Sequence, residues 1–207
     1  VSDSYNTGGY PWCDLVRITP VYTKQPDSME TFKKASGLRR IGAWLIDMVF
    51  VYLYIIVLFA ASMGLNEVWP FHEAMGESYV LRHLVSFFTL TLPMILYFVF
   101  MEHSSRQGTF GKSRLRLRVV SLYGSTADRK HLLIRNAVKF LPWEIAHTTI
   151  HLNPEFISMG PTTVAAWIGG VVIPYGLALL FVGLIFARSD GRTVYEWASG
   201  TRVVRTE

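Results

Sequence analysis

Marked along the chain, hydrophobic and polar positions divide it into four apolar stretches separated by polar connections. Ile41 to Leu65 is apolar on every side of a helix apart from Asp47, and its first ~20 residues are long enough to cross a ~30 Å hydrocarbon core. Val80 to Met101 follows, with Arg82 and His83 near its start and Pro93 inside it as an expected kink that frees a backbone carbonyl. Val164 to Ala187 carries no charge at all. Between these lies Leu132 to Leu152, helical in length but interrupted by Arg135, Lys139, Glu144, His147 and His151, so that hydropathy alone would pass over it. Residues 1–32 show neither a period of 2 nor one of 3.6 and are expected to be an irregular tail ahead of a transmembrane domain over 33–207. That tail lacks the apolar core of a signal peptide, and Met29 is an alternative start.

Composition supports the membrane reading. Of 207 residues 51% are hydrophobic and only 17% charged, where soluble domains average about 25% charged. One cysteine, Cys13, excludes an internal disulfide and a cysteine-based zinc ribbon. The net charge of +5 first suggests nucleic acid, but its placement argues for topology instead.

Lys33, Lys34, Arg39 and Arg40 precede the first stretch, and a dense basic run from Arg106 to Lys139 follows the second. Arg188, Arg192, Arg202 and Arg205 follow the last. Keeping all three on one side requires an even number of crossings, so Leu132 to Leu152 is predicted to span. The expected architecture is an all-α bundle of four transmembrane helices at about 41–62, 80–101, 132–152 and 164–187, with both termini cytoplasmic. A re-entrant hairpin is the rival for the third. The connections Asn66 to Ser78 and Asn153 to Thr163 have glutamates but no Lys or Arg and are expected outside.

In Lys112 to Val120 residues alternate, with Lys112, Arg114, Arg116 and Arg118 on one face. This predicts a strand paired with Thr201 to Arg205 in a small cytoplasmic β-ribbon. Its basic face would meet anionic headgroups, or serve only as a topology determinant.

Asp47 is the most costly residue to bury, since a carboxylate in the hydrocarbon core must be paired, hydrated or protonated. Arg40, seven residues earlier, is too far along the helix to reach it. Arg135, Lys139 or His147 of the third span are therefore its expected partners. It reads equally as a proton or cation site and as an ion pair that fixes packing. Glu144, His147 and His151 share one helix face at spacings that can bind a metal, but a hydrogen-bonded polar seam turned toward the other helices is the preferred reading, with no cofactor implied. Gly108 to Ser113 resembles a phosphate loop only until Arg106 stands where its first glycine belongs. No Gly-x-Ser-x-Gly elbow supports a hydrolase. Ala165 with Gly169 and Ala166 with Gly170 have the spacing of close helix packing, within the chain or between copies.

Together these blocks resemble the RDD family of bacterial membrane proteins over roughly Gly37 to Val204. Leu38 to Asp47 is similar to its first signature, which puts the naming arginine at Arg40 and the first aspartate at Asp47. Glu102 with Thr109-x-Gly111-Lys112, Leu133-x-Arg135-Asn136 with Leu141-Pro142, and Arg192-Thr193 with Ala198-x-Gly200-Thr201 match later blocks. Where the family has its second aspartate, this chain has Glu196, one methylene longer. The resemblance implies a protein of the bacterial cytoplasmic membrane in a family whose members are described as transporters, some as cation/proton antiporters, others as accessory partners of larger assemblies. On the first reading the chain exchanges protons for a cation or carries a small ligand: Asp47 alternates between a proton and a monovalent cation, Glu144, His147 and Lys139 serve the ion path, and Arg40 with Glu196 gates it, in a homo-oligomer. On the second the chain is a non-catalytic subunit. No nucleic-acid partner is expected.

Overall fold

The computed structural model describes residues 33–70, 73 and 78–206. The chain divides into Val1–Glu30 and Thr31–Glu207, and the tail expected over 1–32 lies outside the described residues. Among the described residues three helices are long and apolar enough to cross a membrane: α1 (Gly37–Val68), α2 (Tyr79–His103) and α6 (Val164–Ala187). Between α2 and α6 come a short α3 (Phe110–Arg114), strand β1 (Leu117–Ser121), α4 (Arg129–Leu152) and a single turn α5 (Phe156–Met159). A short α7 (Val194–Ala198) and strand β2 (Thr201–Arg205) end the described fold. The stretch expected as the third span is thus one helix of 24 residues, α4, too polar to meet the hydropathy criterion that the other three pass.

Helix α1 is apolar all round and is buried only at Ala43 and Asp47, the pattern of a helix solvated by lipid or by other helices. Helices α2 and α4 pack along each other, and α6 packs on the other side of α4. Both α2 and α6 widen into a π turn two residues ahead of a proline, at Phe87–Thr91 before Pro93 and at Ile168–Val172 before Pro174. The physical cause is the same. A proline has no N–H and its ring crowds the carbonyl four residues back, so the preceding turn opens to five-residue bonds such as Leu92 N–H to the Phe87 carbonyl. In α2 the displaced carbonyl, that of Thr89, accepts the hydroxyl of Tyr54 from α1. In α6 the widened turn lies against α4, where a Cβ on Gly169 would sit 2.6 Å from Thr149 Oγ1. The small residues of α6 therefore serve packing within the chain.

Strands β1 and β2 pair antiparallel, Leu117 opposite Arg205 and Ser121 opposite Thr201, as the sequence predicts. The expected strand from Lys112 does not begin there. Thr109 caps α3, its side chain accepting from Lys112 N–H, so Lys112 to Arg114 are helical. Arg116 then takes a positive φ of 54° and turns the chain into β1. Alternation of charge was thus shared between a helix, a turn and a strand. An apolar core of Leu117, Val119, Leu132, Val203, Ile95 and Val99 lies under the ribbon, which defines a ribbon end of the molecule.

Candidate functional site

Asp47 is only 1% exposed, one turn past Ala43 on the single face of α1 that meets the rest of the chain. Its carboxylate accepts the Thr109 hydroxyl at 2.5 Å and the Gly111 N–H at 2.8 Å, both from the start of α3. Glycine is required at 111 because a Cβ there would overlap the Ala43 carbonyl oxygen and lie 2.9 Å from Asp47. The expected partners on the third span, Arg135, Lys139 and His147, do not bond Asp47. Neutral donors satisfy it in their place, which a buried carboxylate accepts as well as a counter-charge when both oxygens are served.

A chain of alternating charges begins beside this cradle. Lys112, predicted on an exposed basic face, is 9% exposed, and its ammonium donates to Glu102 Oε1 at 2.9 Å. Glu102 Oε2 accepts from Asn136 at 3.0 Å and lies 3.4 Å from the Arg135 guanidinium. Arg135 donates to Thr201 at 2.9 Å, stands 3.6 Å from Glu196 Oε1 and stacks 5.0 Å over the Tyr195 ring. Glu196 receives Arg40 at 2.7 Å, and Arg40 also donates to the Gly191 carbonyl. Arg114 and Arg116 remain exposed and Arg118 is half-buried, so the predicted basic face loses Lys112 and keeps the others.

Glu196 also completes a capping box on α7. Its Oε2 accepts Thr193 N–H at 2.9 Å and the Thr193 hydroxyl at 3.0 Å, while Oε1 accepts Val203 N–H at 3.1 Å. Burial pushes this carboxyl up, but Arg135 and Arg40 outweigh it and hold the group below the usual carboxylate range. Nearby Asp190, bonded by the Arg188 side chain and the Arg192 N–H, is held far below it. Arg40 and Glu196 line a pocket of about 370 Å³ together with Lys34, Asp190, Arg192 and Arg202.

Farther along the α2–α4 contact is a second polar cluster. Glu144 accepts the Thr91 hydroxyl at 2.8 Å and lies 3.3 Å from His83 Nε2, and His147 Nε2 is 3.0 Å from Ser86 Oγ. Trp143 donates to Thr91 at 3.3 Å. The expectation that Glu144 and His147 turn toward other helices holds. Asp47 and Glu144 do not meet, however. Between the clusters stands Lys139, with its ammonium 3.6 Å from the centre of the Phe98 ring and, among the described residues, no carboxylate within salt-bridge distance.

The sequence reading placed Glu102, Thr109, Gly111 and Asn136 in family blocks without assigning them a role. A buried-charge argument reaches them only when α2, α3 and α4 are known to converge. Thr193-x-x-Glu196 was the one local signal available, as a capping box.

Comparison with known proteins gives a match to the model described as RDD family over residues 34–200. No curated protein and no solved structure matches the chain.

Proposed function

Because the chain belongs to the RDD family, the polar contact between its membrane helices takes on a functional meaning, and we propose that it exchanges protons for a monovalent cation along the α2–α4 seam. The supporting observation is Lys139. It lies three positions after Asn136 and five before Glu144, so it stands between the two polar clusters, about 4.5 Å along the helix axis from the first residue and about 7.5 Å from the second. With Asp47, Glu102 and Glu196 ionised against Arg40, Lys112, Arg135 and Lys139, the ribbon-end network holds one more cation than anions. Lys139, resting on an aromatic face, is the member that can release its proton without breaking an ion pair.

In this mechanism Glu144, the half-exposed carboxylate, takes a proton or the cation from one side, and Lys139 passes charge toward Glu102 and Lys112. The Arg40–Glu196 pair separates the network from the basic pocket and acts as the gate at that end. Asp47 is an anchor that locks α3 to α1 rather than the alternating site. The basic ribbon end faces the cytoplasm, with both termini on that side, α4 is the third of four spans, and Arg114 and Arg116 meet anionic headgroups. The membrane is the bacterial cytoplasmic one.

Purified protein in liposomes carrying an internal pH dye, challenged with Na⁺, K⁺ or Li⁺ gradients, tests this. Cation-dependent proton flux is expected, falling at least tenfold in Lys139→Met and Glu144→Gln. Flux that survives Lys139→Met removes the relay, and a folded wild type without flux removes the exchange reading.

A second reading is favoured by α1, which is unburied by its own chain apart from Ala43 and Asp47. A helix so presented suits an accessory subunit or a homo-oligomer whose partner helices cover it. Its test is the release of a co-purifying membrane protein on substitution of exposed α1 residues such as Ile56→Trp.

A further inference from the structure

Three histidines that lie far apart in sequence converge at the end of the α2–α4 contact away from the ribbon. His83 comes from the first turns of α2, and His147 and His151 are one turn apart near the end of α4. Their rings are edge to face at 4.9 Å (His147 and His151), 5.6 Å (His83 and His151) and 6.2 Å (His83 and His147). One ring nitrogen from each lies within 4.8 Å of the other two.

The hydrogen bonds around them divide each of two rings into a used and an unused edge. His83 places Nε2 against Glu144 and His147 places Nε2 against Ser86. Among the described residues, His83 Nδ1, His147 Nδ1 and His151 Nε2 are buried without a hydrogen-bond partner. Orphaned buried nitrogens are uncommon and ask for an occupant. Metal-binding histidines present this division, with one nitrogen free for the ion and the other held by a carboxylate or hydroxyl that fixes the ring.

We propose that His83, His147 and His151 form a site for a divalent transition-metal ion of the Zn²⁺ class, with Glu144 and Ser86 as the orienting groups and a fourth position open to water. Imidazole nitrogen suits such ions and not Na⁺, K⁺ or Mg²⁺. A tetrahedral centre with bonds of roughly 2.0–2.1 Å needs ligand nitrogens about 3.3 Å apart, so a pair at the 4.8 Å limit must close by about 1.5 Å, within the reach of χ rotations of the three rings. The site would tie α2 to α4 at the end where no ribbon holds them. It shares Glu144 with the proposed exchange path, but metal affinity and proton flux are separate readouts, so either reading can fail without the other.

Tag-free protein stripped with a chelator and returned to metal-free detergent buffer is titrated with Zn²⁺ against a chromophoric chelator, and with Co²⁺ by visible absorption. About one Zn²⁺ per chain is expected, together with the intense d–d bands of four-coordinate Co²⁺. His147→Gln and His151→Gln are expected to weaken Zn²⁺ at least 100-fold, and Glu144→Gln by 10–100-fold through loss of orientation. His131→Gln, which alters an exposed histidine outside the cluster, should leave it unchanged. Wild-type protein that retains no Zn²⁺, or equal affinity in wild type and the two ligand variants, overturns the proposal. Because the wild-type titration stands by itself, a ligand variant that fails to fold does not rescue it.

Discussion

A single carboxylate, Glu196, joins four parts of the chain: Arg40 of α1, Arg135 of α4, the cap of α7 at Thr193 and the Val203 N–H of β2. Glutamate at this position completes the capping box, for which it is the residue of choice. Replacing it by glutamine leaves Arg40 and Arg135 buried with a weakened partner, and Glu196→Ala should cost about 3–5 kcal/mol, the scale for breaking a buried ion pair. Thermal unfolding in detergent measures the drop. The pH dependence follows from the same contacts. The folded carboxyl titrates below its unfolded value near 4.3, so its contribution is complete above about pH 4.3 and is lost as pH falls through the lower folded value. Acid unfolding of the wild type should therefore steepen below about pH 4, and Glu196→Gln should lose that extra sensitivity. An unchanged acid profile in the variant would show that another group controls it. Arg40 and Glu196 were legible as signature charges, but the cap on Thr193 depends on where α7 begins, which no apolar period marks.

At the scale of elements, α1 is attached to its neighbours by few bonds. The cradle of Asp47 in Thr109 and Gly111 holds one point, and Tyr54 on the displaced Thr89 carbonyl holds another. Hydrogen bonds between membrane helices average ~0.6 kcal/mol with a maximum near 1.7, so Tyr54→Phe should destabilise by about that range. Pro93→Ala, by letting the π turn close into regular helix, should remove the acceptor and make Tyr54→Phe nearly neutral in its background. A double-mutant cycle on unfolding temperatures measures the coupling, and additive effects would separate the tyrosine from the proline. The kink was readable from Pro93 alone. Neither the π turn nor the helical start of α3 was, because Lys112 to Val120 alternates well enough to imitate a strand while Thr109 and Gly111 are claimed by a contact 62 and 64 residues away.

For the whole molecule the open quantity is the number of crossings. The proposed four-span topology rests on the basic runs before α4 and after α6, which share a face only if α4 crosses, and the polar face of α4 is directed at α2, which is how such a helix would hide its charges. Single cysteines placed at Tyr123 and at Ile157 in a Cys13→Ser background should then react with an impermeant thiol reagent from opposite faces of sealed vesicles. Labelling from the same face would make α4 a re-entrant element. Hydrophobic period, charge placement and small-residue spacing determined the membrane class, the helices and the pairing of Leu117–Ser121 with Thr201–Arg205, because these are properties of neighbouring positions or of charge summed over a segment. Tertiary structure decided what the buried charges do: that Asp47 meets Thr109 and Gly111, that Lys112 turns inward to Glu102, that Lys139 rests on the Phe98 ring, and that His83 joins His147 and His151. A buried polar group takes whichever donor the packing brings within ~3 Å, and that choice depends on helix rotation and register, which one sequence read along its length does not carry.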